Sequence, residues 1–292
     1  MITAETKLVG VMGWPIKHSL SPQMHNAAFD ALGLNWRYVA FPVQPGQVGA
    51  AIAGLKALGF WGCNVTMPHK EAAIPHLNDI PDRVRGFGAV NTLIFHRDGE
   101  ICTVSGDNTD VPGFILPLRQ RGFEPQGKRV LVIGAGGGAR GVIYSLCEAG
   151  ASRVWVLNRT SARATALVDD LAPLIEQTQL SAGALIPESL IEQARQADLL
   201  INTTTVGMWP HTDTSIWPDD APVPSHLAVC DLVYRPIETR LLRQTKQSGA
   251  LAIDGLGMLI AQGALSFQMW TGQWPPEEVM RKACEQILMH ET

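Results

Sequence analysis

The feature that most constrains this chain is a glycine run, Gly134-Ala135-Gly136-Gly137-Gly138-Ala139, set between two regular segments. Before it lies the apolar stretch Arg129–Ile133, and after it a helix-compatible stretch to Ala149. An apolar run bounded by glycine suits a strand buried on both faces. Glycines at its end permit a tight turn and let the backbone approach a ligand closely. The following helix presents unpaired N–H groups and a partial positive charge, which suit the pyrophosphate of a dinucleotide. A glycine pattern alone is weak, and the strand–loop–helix context is what gives it weight. Strands alternating with helices then imply right-handed βαβ units and a mostly parallel sheet.

The segments downstream keep that alternation. Arg153–Leu157, Asp198–Thr203, His226–Val233 and Ala250–Ile253 read as strands, with helices near 162–174, 188–197 and 238–247. A site for NAD usually carries Asp or Glu about 20 residues beyond the glycines, where it holds the ribose 2′-hydroxyl. Here the second strand ends in Leu157-Asn158-Arg159-Thr160, with Arg163 one turn later and no carboxylate. Two guanidiniums and a hydroxyl suit a 2′-phosphate through charge-assisted contacts, so NADP is the expected cofactor. The plainer alternative, two solvated charges at a helix start, stays open on this pattern alone.

The first hundred residues form a separate α/β block. Lys7–Gly13, Trp36–Val43 and Phe60–Met67 read as strands. Helices are expected from Ser21-Pro22, with Ser21 as N-cap, over Val48–Leu58, and again from Pro68. Asp98-Gly99 between Val90–Phe95 and Ile101–Val104 signals a hairpin. A helix over Val111–Arg121 links the blocks, and two more, Met258–Trp270 and Pro276–Met289, end the chain. The expected division is residues 1–108, with 257–292 packing back onto them, and residues 109–256. At 292 residues the chain is long enough for both.

Charge and cysteine use narrow the function. A net charge of -4 without a basic cluster argues against nucleic acid or an anionic membrane as partner. The first residues hold an acid and no apolar core, so no secretory signal is expected, and no apolar stretch approaches a bilayer span. Five scattered cysteines without a C-x-x-C fit a reducing cytoplasm. His18 with His25, and His69 with His76, lack supporting carboxylates, so no metal site is expected.

Two polar segments stand where open α/β sheets bind ligands, beyond the carboxyl ends of strands. They are Asn64-Val65-Thr66-Met67-Pro68-His69-Lys70 and Gly106-Asp107-Asn108-Thr109-Asp110. Taken singly, each is equally an ordinary capped helix start.

Together with Ser19-Leu20-Ser21-Pro22-Gln23-Met24-His25-Asn26, Gly88-Ala89-Val90-Asn91-Thr92, Gly134–Arg140, Asn158-Arg159-Thr160 and Asp254–Gln262, these segments resemble the shikimate dehydrogenase family in order. The resemblance runs from Lys7 to the last helix. It implies an N-terminal α/β substrate domain and a Rossmann-type doubly wound NADP domain. It also implies reversible reduction of 3-dehydroshikimate to shikimate with NADPH, in aromatic amino acid biosynthesis. Lys70 and Asp110 would be the catalytic pair. Ser19 and Ser21 would contact the substrate carboxylate, Asn64, Thr66, Asn91 and Gln262 its ring hydroxyls and neighbouring groups, and Tyr234 the substrate end of the cleft. The glycine loop, Asn158, Arg159, Thr160, Arg163 and Gly255 would serve the cofactor. Gly138 departs from the family's usual alanine, and Asp107 reads as structural beside Asp110. A monomer or homodimer is expected. Two rival readings are a quinate/shikimate enzyme of broader substrate or NAD use, and a non-catalytic ligand sensor. The arginines speak against the first, and retention of both Lys70 and Asp110 speaks against the second.

Overall fold

The computed structural model describes residues 2–99 and 101–290. They form two compact units: residues up to Asp110 together with Ile260–Ile287, and Val111–Leu259 with the chain from Leu288 on.

The first unit is built on β1 (Lys7–Gly13), β2 (Trp36–Pro42), β3 (Gly62–Val65), β4 (Thr92–Asp98) and β5 (Ile101–Asp107), in the order β2-β1-β3-β4-β5. β1 runs parallel to β2 and β3, whereas β4 and β5 are antiparallel additions closed by the Asp98-Gly99 hairpin. Its helices are α1 (Ser21–Ala31), α2 (Val48–Ala57) and α3 (Asp82–Phe87). The period-2 alternation of strands sorts side chains to two faces. Cys63, Val65, Leu93 and Phe95 join Val48, Ile52, Leu55 and Val84 in one apolar core. On the intervening positions, Asn64 and Thr92 reach Ser266 instead. That second face also carries an aromatic cluster, in which His25 stacks on Tyr38 with ring centroids 4.3 Å apart and lies near Phe267 and Trp270. Trp270 donates its indole N–H to the Leu93 carbonyl at 3.0 Å, and a side chain at Gly62 would collide with that indole.

His25 is wholly buried, with neither ring nitrogen hydrogen-bonded, and burial alone holds its pKa down to about 3. The folded protein keeps the imidazole neutral, whereas the unfolded chain takes up a proton below about pH 6.5. Stability from this group is therefore complete above that pH and is lost as pH falls toward 3. Denaturant titration should show the parent losing about 2 kcal/mol from this source between pH 7 and pH 5. A His25→Phe variant should not show that loss. Equal losses in the two proteins would refute the assignment.

The second unit holds β6 (Arg129–Ile133), β7 (Arg153–Asn158), β8 (Gln179–Ala184), β9 (Leu199–Asn202), β10 (Ala228–Asp231) and β11 (Ala252–Asp254). All are parallel, in the order β11-β10-β9-β6-β7-β8. That is the doubly wound order of dinucleotide-binding sheets, with its reversal between β6 and β9. Helices α4 (Asp110–Gln120), α5 (Gly137–Glu148), α6 (Ser161–Leu171), α7 (Pro187–Gln196) and α8 (Arg240–Gln247) accompany it. Val130 and Val132 pack on one face with α4, α5 and α6; Leu131 and Ile133 pack on the other with α7, α8 and Trp217. Two apolar faces explain why β6 is an unbroken hydrophobic run. Helices α9 (Leu256–Thr271) and α10 (Glu277–His290) end the chain.

Local expectations fail in four places. Ser21 is the first helical residue of α1 rather than its cap; Leu20 takes the cap position, and Ser19 Oγ accepts from the Ser21 N–H at 3.3 Å. No helix starts at Pro68. Turns lead to a 3₁₀ segment at Ile74–His76, because Pro75 lacks an N–H and would clash with the carbonyl four residues earlier. The short α3 carries too few residues to show a period. β8, Gln-Leu-Ser-Ala-Gly-Ala, has weak strand propensity and exists as an edge partner of β7.

Candidate active site

In the first unit the polar segments converge. β3 delivers Asn64, and the turn after it delivers Thr66 and Lys70; the Lys70 carbonyl is fixed by the Val90 N–H at 3.0 Å. Asp110 is the first residue of α4, where a carboxylate is favoured by the helix dipole. Asn108 Oδ1 accepts the Asp110 N–H at 2.9 Å, satisfying one donor that the helix start leaves open. Lys70 Nζ then meets Asp110 Oδ2 at 2.6 Å. Their side chains remain 30% and 20% exposed, so the pair is held but reachable.

Behind the pair lies a buried network. Tyr38 donates its hydroxyl to Asn64 Oδ1 at 2.8 Å. The two hydrogens of Asn64 Nδ2 are shared among the Asn91 carbonyl, Thr92 Oγ1 and Ser266 Oγ, at 2.9–3.1 Å. Asn91 Oδ1 accepts the Thr109 N–H at 2.8 Å, and its Nδ2 donates to Thr109 Oγ1 at 2.9 Å. Leaving one such buried group unpaired costs about 1–3 kcal/mol, so the network resists rearrangement. The Asn64 Nδ2 hydrogens are thus committed to the fold, whereas its Oδ1 keeps a lone pair and Asn91 Nδ2 keeps a second hydrogen. Gln262 lies on α9 one turn before Ser266, whose hydroxyl donates to the Gln262 carbonyl at 3.0 Å.

Sequence reading missed three members of this arrangement. Tyr38 looks like an ordinary strand aromatic. Ser266 stands four residues after Gln262, a helical spacing that could have exposed it. Arg83, on the unexpected α3, forks onto Asp107 with two bonds of 2.8 Å, and Asp107 Oδ1 in turn accepts the Asn108 N–H at 2.6 Å. Asp107 therefore braces the loop that carries Asp110.

In the second unit the glycine loop joins β6 to α5. Gly134 has φ +114°, and a Cβ there would meet Thr203 Oγ1 at 2.5 Å, so only glycine fits against the end of β9. Where Gly136 and Gly137 lack side chains there is open space to 4 Å. Gly136 caps α5 with no side-chain acceptor, which leaves the first N–H groups of the helix for an anion. Ala135 is half-buried against the core, and Ala139 is wholly buried within it, so the Ala139 side chain packs under the loop rather than facing a ligand. Gly138 is exposed on the loop side. Asn158 Nδ2 ties the Thr160 carbonyl at 2.9 Å, shaping the turn into α6. Arg159, Thr160 and Arg163 are exposed there, and among the described residues no carboxylate pairs with either arginine. Space, free N–H groups and uncommitted guanidiniums fit an NADP diphosphate and 2′-phosphate. A side chain at Gly255 would run into the Leu232 and Asp231 carbonyls, which gives that glycine a packing reason. Tyr234 lies half-buried in the segment after β10. Trp217 is 2% exposed and bonds the Ala221 carbonyl, whereas Trp209 is 47% exposed under the Arg235 guanidinium. Among the described residues no group of three His, Cys, Asp or Glu could hold a metal, and no helix is long and apolar enough to cross a membrane.

Residues 11–93 match the shikimate dehydrogenase substrate binding domain, residues 118–207 the shikimate/quinate 5-dehydrogenase profile, and residues 255–285 the shikimate 5'-dehydrogenase C-terminal domain. A shikimate dehydrogenase (NADP(+)) of Methanothermobacter thermautotrophicus is 44% identical over 288 residues, covering 99% of both chains. The chain belongs to the shikimate dehydrogenase family. The corresponding enzyme of Moorella thermoacetica is 43% identical, covering 98% of this chain and 95% of its own. A shikimate 5-dehydrogenase structure from Thermus thermophilus, in complex with NADP(H) and shikimate, superposes with a TM-score of 0.81 at 38% identity. It covers 96% of this chain and 99% of its own. As a family member, the chain pairs a substrate-domain profile on its first unit with a dehydrogenase profile spanning the glycine loop.

Proposed function

We propose that the protein is an NADP-dependent shikimate dehydrogenase, which reduces 3-dehydroshikimate to shikimate reversibly in aromatic amino acid biosynthesis. The observation that carries this reading is the 2.6 Å Lys70–Asp110 pair, left accessible on a rigid polar scaffold. When bound, NADPH supplies the hydride. Lys70 Nζ gives its proton to the oxygen that becomes the new hydroxyl, and in oxidation it takes that proton back. Asp110 holds the ammonium in line and balances its charge. Ser19 and Ser21 receive the ring carboxylate, while Thr66, Gln262 and the spare hydrogen of Asn91 receive hydroxyls. Asn64 offers the remaining lone pair of its Oδ1 to a ring hydroxyl while its Nδ2 holds Asn91 and Ser266, and Tyr234 completes the substrate contacts. Arg159, Thr160 and Arg163 take the 2′-phosphate. Sites made of fixed hydroxyl and amide groups reject analogues that lack a hydroxyl, because buried partners are left unpaired. The five cysteines are unpaired, which fits the cytoplasm.

Absorbance at 340 nm, with shikimate or quinate and each oxidised cofactor, tests this directly. Shikimate with NADP should give the fastest rise. A faster rise with quinate and NAD would establish the broader-specificity enzyme, and no rise with any pair would leave a ligand sensor.

A further inference from the structure

The buried carboxylate of Asp231 lies outside the chemistry assigned above. It stands at the carboxyl end of β10 and is wholly buried. Asp231 Oδ1 accepts from Asn202 Nδ2 at 2.9 Å and from the Val233 N–H at 3.1 Å, and Oδ2 accepts the Thr239 hydroxyl at 2.6 Å. Each partner anchors something else. Asn202 Oδ1 accepts the N–H and hydroxyl of Thr204, at 3.0 and 2.7 Å, and so shapes the turn after β9. Thr239 Oγ1 accepts the Leu242 N–H at 3.3 Å and caps α8. The two oxygens of one carboxylate therefore clasp both ends of the segment from Asp231 to Thr239. Tyr234 sits inside that segment. A second tie runs across it, from the Trp209 N–H to the Arg235 carbonyl at 2.8 Å.

Burying a carboxylate is costly, and burial pushes the Asp231 pKa up to about 6 despite three donors. An amide could serve the two N–H donors equally well. Only a carboxylate accepts from the Thr239 hydroxyl while leaving that oxygen free to cap α8. The chain thus keeps an expensive group where it closes the Tyr234 segment.

We infer that Asp231 is a positioning residue for the dehydrogenase reaction, setting Tyr234 against the substrate by clasping the 231–239 segment at both ends. The inference rests on the reading of Tyr234 as a substrate contact. A displacement of about 1 Å at a reacting group can cost about a hundredfold, so Asp231→Ala should lower kcat/KM for shikimate by about tenfold to a hundredfold. Asp231→Asn, which keeps an oxygen for the two N–H donors but offers the Thr239 hydroxyl no acceptor, should recover only part of that loss. In a Tyr234→Ala background, Asp231→Ala should add almost nothing, since the contact it positions is already gone.

Steady-state kinetics of both single variants and the double variant, with thermal unfolding of each, decide the matter. Folded Asp231→Ala with normal shikimate kinetics beside an impaired Tyr234→Ala would overturn the inference, as would losses that multiply in the double variant. Normal kinetics in Tyr234→Ala would instead overturn the Tyr234 reading, and the inference with it. If Asp231→Ala does not fold, Thr239→Val and Thr239→Ser replace it. The valine should show the Tyr234-dependent loss and the serine, which keeps the hydroxyl, should not; equal behaviour of the two would refute the clasp.

Discussion

Lys70→Met should reduce turnover by about 10²–10⁴-fold, the usual contribution of a positioned acid–base group. Methionine keeps much of the length and apolar bulk of lysine but carries no proton, and Lys70 Nζ is the group that Asp110 grips at 2.6 Å. The Michaelis constant for NADP should stay near that of the parent, because the glycine loop and the Arg159–Arg163 turn are built by other segments. Asp110→Asn should also lower turnover. The double variant should be little worse than Lys70→Met alone, since groups that act as one unit lose their joint effect when either is removed. Steady-state rates in both directions test this. Near-normal turnover in Lys70→Met would move the proton to another residue or to water.

Neutralising Arg159 and Arg163 should change cofactor choice. Each charge-assisted hydrogen bond contributes about 1.5–3 kcal/mol, so each replacement should raise the NADP Michaelis constant about tenfold or more. NAD has no 2′-phosphate, and its use should change little. Both arginines are exposed and unpaired by carboxylates among the described residues, so their removal leaves no buried partner stranded. Equal losses with the two cofactors would mean that the arginines serve the turn or the diphosphate instead.

Much of this arrangement was legible before the fold. β6 and its glycine loop could be read because an unbroken apolar run and a string of glycines are strong local signals. The Lys70 and Asp110 segments could be found as polar strand ends but are joined only through the family resemblance, because a separation of 40 positions hides their approach. Other parts gave no local signal. Edge strand β8 contains Ser, Ala and Gly and owes its form to pairing with β7. Helix α3 spans only Asp82–Phe87, yet its Arg83 braces the loop before Asp110. Ser21 resembles a helix cap by composition, while the backbone gives that place to Leu20. The resemblance makes Asn64 a ligand group, and only the partners around it reveal that its Nδ2 also braces the fold.

The polar network behind Lys70 has a direction as well as a shape. The Asn91 carbonyl can only accept, so Asn64 turns Nδ2 toward it and Oδ1 toward Tyr38, whose hydroxyl then donates. That orientation sends Asn64 Nδ2 toward Thr92 and Ser266, and their hydroxyl hydrogens must then point onward, to Asn91 Oδ1 and the Gln262 carbonyl. Hydrogens in such a chain turn together or not at all, so an altered member reverses or strands its neighbours. Single substitutions therefore have little freedom at those positions. A change of substrate preference is expected more readily at Thr66, whose side chain takes no part in that chain among the described residues.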